Sequence, residues 1–132
     1  MQTRIRNFII IAAIPFLIIS CSKPVSFNKD INPIFVANCL NCHDGSGEGS
    51  STSGFSVKTY GSVMKGTKFG PVIEPGSSVS SSLYRMVAHK VKEEIQMPPH
   101  HDKGLAKGRE DALTLRQIEL IEKWIDEGAK NN

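Results

Sequence analysis

The sequence predicts a small all-α domain. Its clearest element is the last helix, where Thr114 and Gln117 match a capping box and Gly128 is placed to end the helix. An apolar stripe runs along this helix at i, i+3, i+6 and i+7, formed by Ile118, Ile121, Trp124 and Ile125. A second helical pattern precedes residues 39–43. Gly- and Pro-rich segments separate the helical patterns, and no βαβ pattern is present.

The N-terminus has the layout of an export signal. Arg4 and Arg6 form a positive segment, and an apolar run interrupted only by Pro15 extends from Phe8 to Ile19. That run is shorter than the roughly 20 residues of a membrane-spanning helix, so it fits the apolar region of a signal peptide. We therefore expect residues 1–20 to be removed.

The residues that end this run resemble a bacterial lipoprotein processing box, Ile18-Ile19-Ser20-Cys21. Cleavage before Cys21 would make it the lipidated first residue, and several acyl chains would anchor the protein to a membrane. The alternative is an ordinary signal peptide with an incidental cysteine. We expect residues 21–29 to be the lipid site and tether, and residues 30–132 to be the domain. The expected location is the bacterial cell envelope, with the domain facing the periplasm or the cell exterior.

The charge pattern argues against nucleic-acid binding. The precursor of 132 residues has a formal net charge of +3, and loss of Arg4 and Arg6 with the signal lowers it to +1. Basic and acidic residues are interspersed, and no basic run is present. The sequence also lacks a catalytic triad, a phosphate-binding loop and a dyad of catalytic carboxylates. We therefore expect no enzyme and no small-molecule substrate.

The first helix of the domain is predicted over residues 27–41. Asp30 or Asn32 is the predicted cap, and Pro33 suits the first turn. The end of this helix delivers the motif C-x-x-C-H, in which Cys39 and Cys42 are followed directly by His43.

This motif is the attachment sequence of a c-type haem. Cys39 and Cys42 can reach the two vinyl groups of one haem and form thioethers, and His43 then supplies an imidazole to the iron. A redox dithiol, a zinc site and a structural disulfide are the alternatives. The first usually accompanies a βαβ pattern, the second needs a further ligand pair, and the third gives His43 no role. With Cys21 lipidated, all three cysteines have a function.

The middle of the chain is predicted to be mostly loop. Residues 44–54 are rich in Gly and Ser and predict a flexible surface loop, with only a weak case for calcium binding. Residues 55–64 predict a short extended piece and a helical turn, and residues 65–76 another loop. Ser77 or Ser78 is the predicted cap of a helix that continues to about Ala88. Residues 91–103 predict a loop around Met97-Pro98-Pro99.

From residue 30 to residue 129, the chain resembles the class I c-type cytochromes, in particular the planctomycete-type cytochrome c domain. The matching pieces are Cys39 to His43, Gly70-Pro71-Val72-Ile73-Glu74-Pro75-Gly76, Ser82-Leu83-Tyr84-Arg85, Met97-Pro98-Pro99, and Ile118 through Trp124 to Ala129. The resemblance implies a cytochrome c fold whose first and last helices cross beside one covalent haem c, with Phe35 and Trp124 as the residues that meet there.

Met97 is the predicted second axial ligand. Pro98 and Pro99 stiffen the chain after it, and the resemblance places the ligand here. A thioether ligand raises the reduction potential and fills the sixth position. His100 and His101 are the alternative ligands and would give bis-histidine ligation.

Arg85 and Lys68 are candidates to pair with the propionates of the haem, and the alternative is that each is an ordinary exposed charge. The expected function is that of a monohaem carrier of single electrons with redox partner proteins. The alternatives are a haem subunit of a larger dehydrogenase or oxidase, and a ligand sensor or weak peroxidase with an open sixth site.

Overall fold

A computed structural model describes residues 23–106 and 108–132 of the chain. The predicted signal peptide and the predicted lipid site Cys21 lie outside the described residues. All regular structure within those two ranges is helical, apart from one isolated bridge between Thr67 and Gly70. The predicted all-α class is confirmed at this level.

The first helical segment has two parts. A π-helical turn, Phe27–Ile31, leads directly into helix α1, Asn32–Asn38, which has Pro33 in its first turn as predicted. The predicted cap was wrong, because the Ser26 hydroxyl caps this segment by accepting from the Lys29 N–H at 3.3 Å. The predicted end was also too late, since α1 ends at Asn38 and residues 39–43 form a separate turn.

The Gly/Ser-rich segment contains a helix, so the prediction of a flexible surface loop was wrong. Helix α2, Glu48–Ser53, begins after a turn in which the Asp44 carboxylate accepts from the Gly47 N–H at 2.6 Å. Gly54 follows in the left-handed conformation, with φ of 79°, and ends the helix. Ser50 on α2 is buried, which a solvated loop would not allow.

Helix α3, Tyr60–Lys65, follows an extended stretch, as predicted, and begins with a capping box between Thr59 and Ser62. Residues 66–76 contain no helix or strand, in agreement with the predicted loop.

Helix α4, Ser82–Val87, begins later than predicted. A 3₁₀ turn, Ser78–Ser80, precedes it. The Ser81 hydroxyl lies between the two elements, where it accepts from the Glu74 N–H at 2.8 Å and donates to the Ser77 carbonyl at 2.9 Å. Because this serine closes the preceding turn, the α-helix starts only after it.

Helix α5, Leu115–Asp126, confirms the clearest prediction. Its capping box joins Thr114 and Gln117, and Gly128 follows with φ of 99°. The Asp126 carboxylate accepts from the Ser78 N–H at 2.7 Å, which connects α5 to the 3₁₀ turn before α4. Between these elements, the predicted loop at 91–103 contains one 3₁₀ turn, Glu93–Ile95.

An aromatic cluster occupies the centre of the core and is formed by Phe27, Phe35, Tyr60 and Trp124. The Phe27 ring lies 5.2 Å from the Tyr60 ring and 5.5 Å from the Trp124 ring, measured between centroids. Phe35 and Trp124 are in contact edge to face at 6.4 Å, as the resemblance implied for this pair. Their contact joins α1 to α5. No helix in the described part of the chain is long and apolar enough to span a membrane.

Candidate haem site

A cavity of about 230 Å³ brings together the predicted haem-binding residues. Cys39, Cys42, His43 and Met97 all line it, although 54 sequence positions separate His43 from Met97. The rest of the lining is formed by Asn38, Asn41, Glu48, Gly49, Thr52, Ser53, Pro98, Pro99, Leu105, Ala106 and Glu110. The chain therefore places two thiols, an imidazole and a thioether on one cavity.

A hydrogen-bonded turn at the end of α1 presents the two thiols. The Cys39 N–H donates to the Phe35 carbonyl at 2.9 Å, and the His43 N–H donates to the Cys39 carbonyl at 2.9 Å. Cys39 and Cys42 are partly buried and are not joined by a disulfide. Burial, with a smaller contribution from Cys42, raises the pKa of the Cys39 thiol to about 12. Both sulfurs are therefore available for thioether bonds, and Cys39 is protonated at neutral pH.

One nitrogen of the His43 ring is already engaged. Nδ1 lies 3.2 Å from the Phe55 carbonyl oxygen, which fixes the ring and leaves Nε2 as the nitrogen available to iron. The pKa of His43 is lowered by burial, with an opposing contribution from the Phe55 carbonyl. Burial therefore favours the neutral imidazole, which is the form that binds a metal.

Glycines at the start of α2 allow the chain to pass close to this ring. A Cβ atom at Gly49 would lie 2.7 Å from Nε2 of His43, and one at Gly47 would lie 2.7 Å from the Cys42 carbonyl oxygen. Both distances are shorter than real Cβ contacts allow. A side chain at position 49 would crowd Nε2 of His43, so the close packing of α2 against this ring requires glycine there.

Met97 lies on the cavity in a partly buried position, followed by the buried Pro98 and Pro99. The two alternative ligands are directed elsewhere. Nδ1 of His100 lies 2.6 Å from the Pro98 carbonyl oxygen, and Nε2 of His101 lies 2.9 Å from Oε1 of Gln96. Neither histidine lines the cavity. The geometry favours Met97 as the second ligand over both.

The rings of His100 and His101 are in tilted contact at 4.1 Å between centroids, and the His100 ring is also tilted against the His89 ring at 4.5 Å. No group of three or more His, Cys, Asp or Glu side chains that could hold a metal ion occurs within residues 23–106 and 108–132.

The structure does not bring the predicted propionate partners to the cavity. Arg85 and Lys68 are exposed, and neither lines it. The ammonium of Lys68 instead lies over the Phe69 ring, 5.2 Å from its centroid. Their pairing with propionates stays a prediction.

Sequence reasoning missed Gly49, Ser50 and Phe55. Ser50 donates a hydrogen bond from its hydroxyl to the Phe55 carbonyl at 2.8 Å, the same oxygen that His43 uses. Glycine and serine are also the residues of flexible loops, so composition favoured the wrong interpretation. The small size of Gly49 and Ser50 was the available signal for close packing, because small residues permit close approach of backbone segments.

The residues on this cavity fit a covalent haem c. Cys39 and Cys42 would hold its vinyl carbons, while His43 and Met97 would supply the axial nitrogen and sulfur. When bound, haem supplies reversible one-electron chemistry between ferric and ferrous iron.

Comparison with protein families agrees with this geometry. The family model of Planctomycete cytochrome C matches residues 39–101, a range that contains both thiols, His43 and Met97. No curated protein and no solved structure matches the chain. The family match implies a covalently bound haem c and indicates a haem-based electron carrier. The segment 39–101 thus matches the Planctomycete cytochrome C family, the family that the sequence resembles.

Proposed function

We propose that this protein is a monohaem c-type cytochrome that carries single electrons on the outer side of a bacterial membrane. The observation that carries the proposal is the convergence of Cys39, Cys42, His43 and Met97 on one cavity. The chain makes no bond in a substrate. Its own residues would attach the haem and supply two ligands to its iron.

The axial ligands set the direction of the chemistry. Met97 raises the reduction potential because a thioether stabilises ferrous iron better than ferric iron. Its thioether would also bind the iron and so keep small molecules from it. The Phe55 carbonyl fixes the His43 ring and would keep its Nε2 in place for the iron in both oxidation states.

The anchor is a separate part of the proposal. Lipidation of Cys21 would hold the haem domain at a membrane surface, with the export signal placing it outside the cytoplasm. Val25, four positions beyond Cys21, is already buried, and its N–H donates to Oε2 of Glu127 at 2.7 Å, so few residues would separate the lipid from the packed domain.

The haem proposal is tested with the exported protein, matured with haem-attachment machinery and compared with Met97→Ala. A pyridine haemochrome spectrum measures the two thioether bonds. Ferric wild-type protein should show the weak red-edge absorption band of an iron–thioether bond, and Met97→Ala should lose it. Met64→Leu is the matched control, since Met64 packs against the core and does not line the cavity.

Each other outcome identifies an alternative. Absence of haem would end the cytochrome proposal. Low-spin ferric iron that is insensitive to Met97→Ala would indicate that His100 or His101 is the second ligand. High-spin iron that binds CO rapidly would favour the sensor or peroxidase, and a stable exclusive partner on pull-down would favour a subunit of a larger oxidoreductase.

The anchor proposal is tested by Cys21→Ser. We expect wild-type protein in the detergent phase of a two-phase extraction and the variant in the aqueous phase, with equal haem content. The same phase for both would contradict lipidation without affecting the haem proposal.

A further inference from the structure

The carbonyl oxygen of Phe55 is shared by two donors. The Ser50 hydroxyl donates to it at 2.8 Å, a typical O–H···O distance, and Nδ1 of His43 lies at 3.2 Å, the long end of the N–H···O range. The shorter and better-formed hydrogen bond therefore belongs to the serine, and the histidine has the longer one.

Ser50 has little freedom to do anything else. Its side chain is buried, and its oxygen accepts from the Gly45 N–H at 2.9 Å, so its single proton is directed to Phe55. Its own N–H donates to the Cys42 carbonyl at 3.0 Å, which connects α2 to the haem-attachment turn, residues 39–43. The hydroxyl is therefore held at the Phe55 carbonyl by contacts on several sides.

The sharing has an electronic consequence for an iron bound at Nε2. A hydrogen bond donated from Nδ1 increases the basicity of the imidazole, and a more basic ligand stabilises ferric iron. A carbonyl that already accepts from a hydroxyl is a weaker acceptor for the second donor. The serine therefore limits the donation from His43 and keeps the ligand less basic.

We propose that Ser50 is a positioning residue that raises the reduction potential of the haem iron by sharing the Phe55 carbonyl with His43. The inference rests on the proposed function, in which His43 ligates the iron. Gly49 supports the arrangement, because a side chain there would displace the His43 ring from this carbonyl.

The test compares Ser50→Ala with wild type in the haem-loaded protein, equilibrated against a redox dye. Because the net effect of a single hydrogen bond is small, we expect the ferric-to-ferrous ratio of Ser50→Ala to rise by about twofold to tenfold, where tenfold is 59 mV for a one-electron couple. Ser51→Ala is the matched control on the same helix, since its exposed hydroxyl donates to the Ser46 carbonyl at 3.1 Å, and its ratio should not change.

A second readout separates this role from a general loosening of the fold. In the diamagnetic ferrous protein, the Nδ1 proton of His43 should shift downfield in Ser50→Ala, because its hydrogen bond strengthens. Ser50→Thr, which keeps a hydroxyl, should restore both the potential and the proton shift towards wild type.

An unchanged or higher potential in Ser50→Ala, with the iron–thioether band intact, would overturn the inference and leave the proposed function standing. If Ser50→Ala does not attach haem, the inference is tested on the haem-loaded wild-type protein alone. A protected Ser50 hydroxyl proton with a nuclear Overhauser contact to the Nδ1 proton of His43 supports the inference, and its absence overturns it. Wild-type protein without haem would overturn the proposed function as well.

Discussion

The aromatic cluster and the haem cavity differ in what fills them. Phe27, Phe35 and Trp124 are each at most 3% exposed, and their rings fill the space between α1 and α5. The haem cavity is lined instead by partly buried thiols and, from α2, by small residues such as Gly49 and Ser53. Burial of apolar rings stabilises the first region, whereas backbone hydrogen bonds and close packing position the second.

One residue connects the two regions. The Phe35 ring belongs to the aromatic cluster, and the Phe35 carbonyl accepts from the Cys39 N–H at the start of the haem-attachment turn. The cluster therefore positions the turn that carries the two thiols, while the packing of α2 positions the His43 ring. Changes in the cluster should mainly alter stability, and changes around α2 should alter both stability and the haem site.

The largest effect is expected from Trp124→Ala. It removes a fully buried ring from the centre of the cluster and should cost about 3–5 kcal/mol of unfolding free energy. Denaturant unfolding of the haem-loaded protein measures it. The control is Leu115→Ala on the same helix, where the side chain is 80% exposed and the expected change is within about 0.5 kcal/mol. Equal losses from both variants would contradict a central role for the cluster.

Gly47→Ala tests the close packing beside the haem. The added Cβ would lie 2.7 Å from the Cys42 carbonyl oxygen, so we expect a loss of about 1–3 kcal/mol from overpacking. Gly61→Ala is the control within α3, because its nearest contact, Oγ1 of Thr59, is 3.9 Å away. There we expect a gain of about 0.5–1 kcal/mol from helix propensity. Thermal or denaturant unfolding checks both, and a neutral Gly47→Ala would show that α2 can move away.

Tyr60→Phe separates the ring from the polar group within the cluster. It keeps the aromatic contact with Phe27 but removes the hydroxyl that donates to the Ala129 carbonyl at 2.9 Å. The expected loss is about 1 kcal/mol, measured by denaturant unfolding. Tyr84→Phe gives a comparison outside the cluster, where the hydroxyl donates to Glu122 at 2.6 Å. A loss as large as that of Trp124→Ala would mean that the hydroxyl, and not the ring, dominates at Tyr60.

The smallest effect is the acid dependence expected from Asp44 before α2. Hydrogen bonds from the N–H groups of Ser46 and Gly47 lower the pKa of this carboxyl below its usual value. Its folded pKa is therefore below its unfolded pKa of about 3.9. The stabilisation is complete above that unfolded value and disappears as the pH falls through the folded pKa. The stability difference between wild type and Asp44→Asn should shrink across that acid range, and a difference independent of pH would contradict this role.

Helix α5 was well predicted because its signals are local. The Thr114–Gln117 capping box, the apolar stripe and Gly128 lie within one continuous segment, and each acts on its near neighbours. The same is true of Cys39, Cys42 and His43, whose spacing alone expresses the chemistry of haem attachment. Such features can be read without knowing the path of the chain.

The start of α4 and the whole of α2 were missed for the opposite reason. A serine can cap a helix, close a turn or lie in solvent, and its presence in the sequence does not distinguish these cases. Ser81 closes a turn by contacting Glu74 and Ser77, and Ser50 contacts Gly45 and Phe55. These choices depend on where neighbouring segments lie.

The sequence by itself determined the all-α class, the haem-attachment motif, the last helix and the choice of Met97 as the ligand to test. Only the tertiary structure decided that the Phe55 carbonyl holds His43, that Ser50 shares this carbonyl, and that Asp126 secures Ser78 across 48 positions. The physical reason is the separation along the chain over which each interaction acts. Helix caps and thiol spacing act within a turn or two of the backbone, whereas a buried hydrogen bond forms only after the packing of the whole core has brought its two partners together.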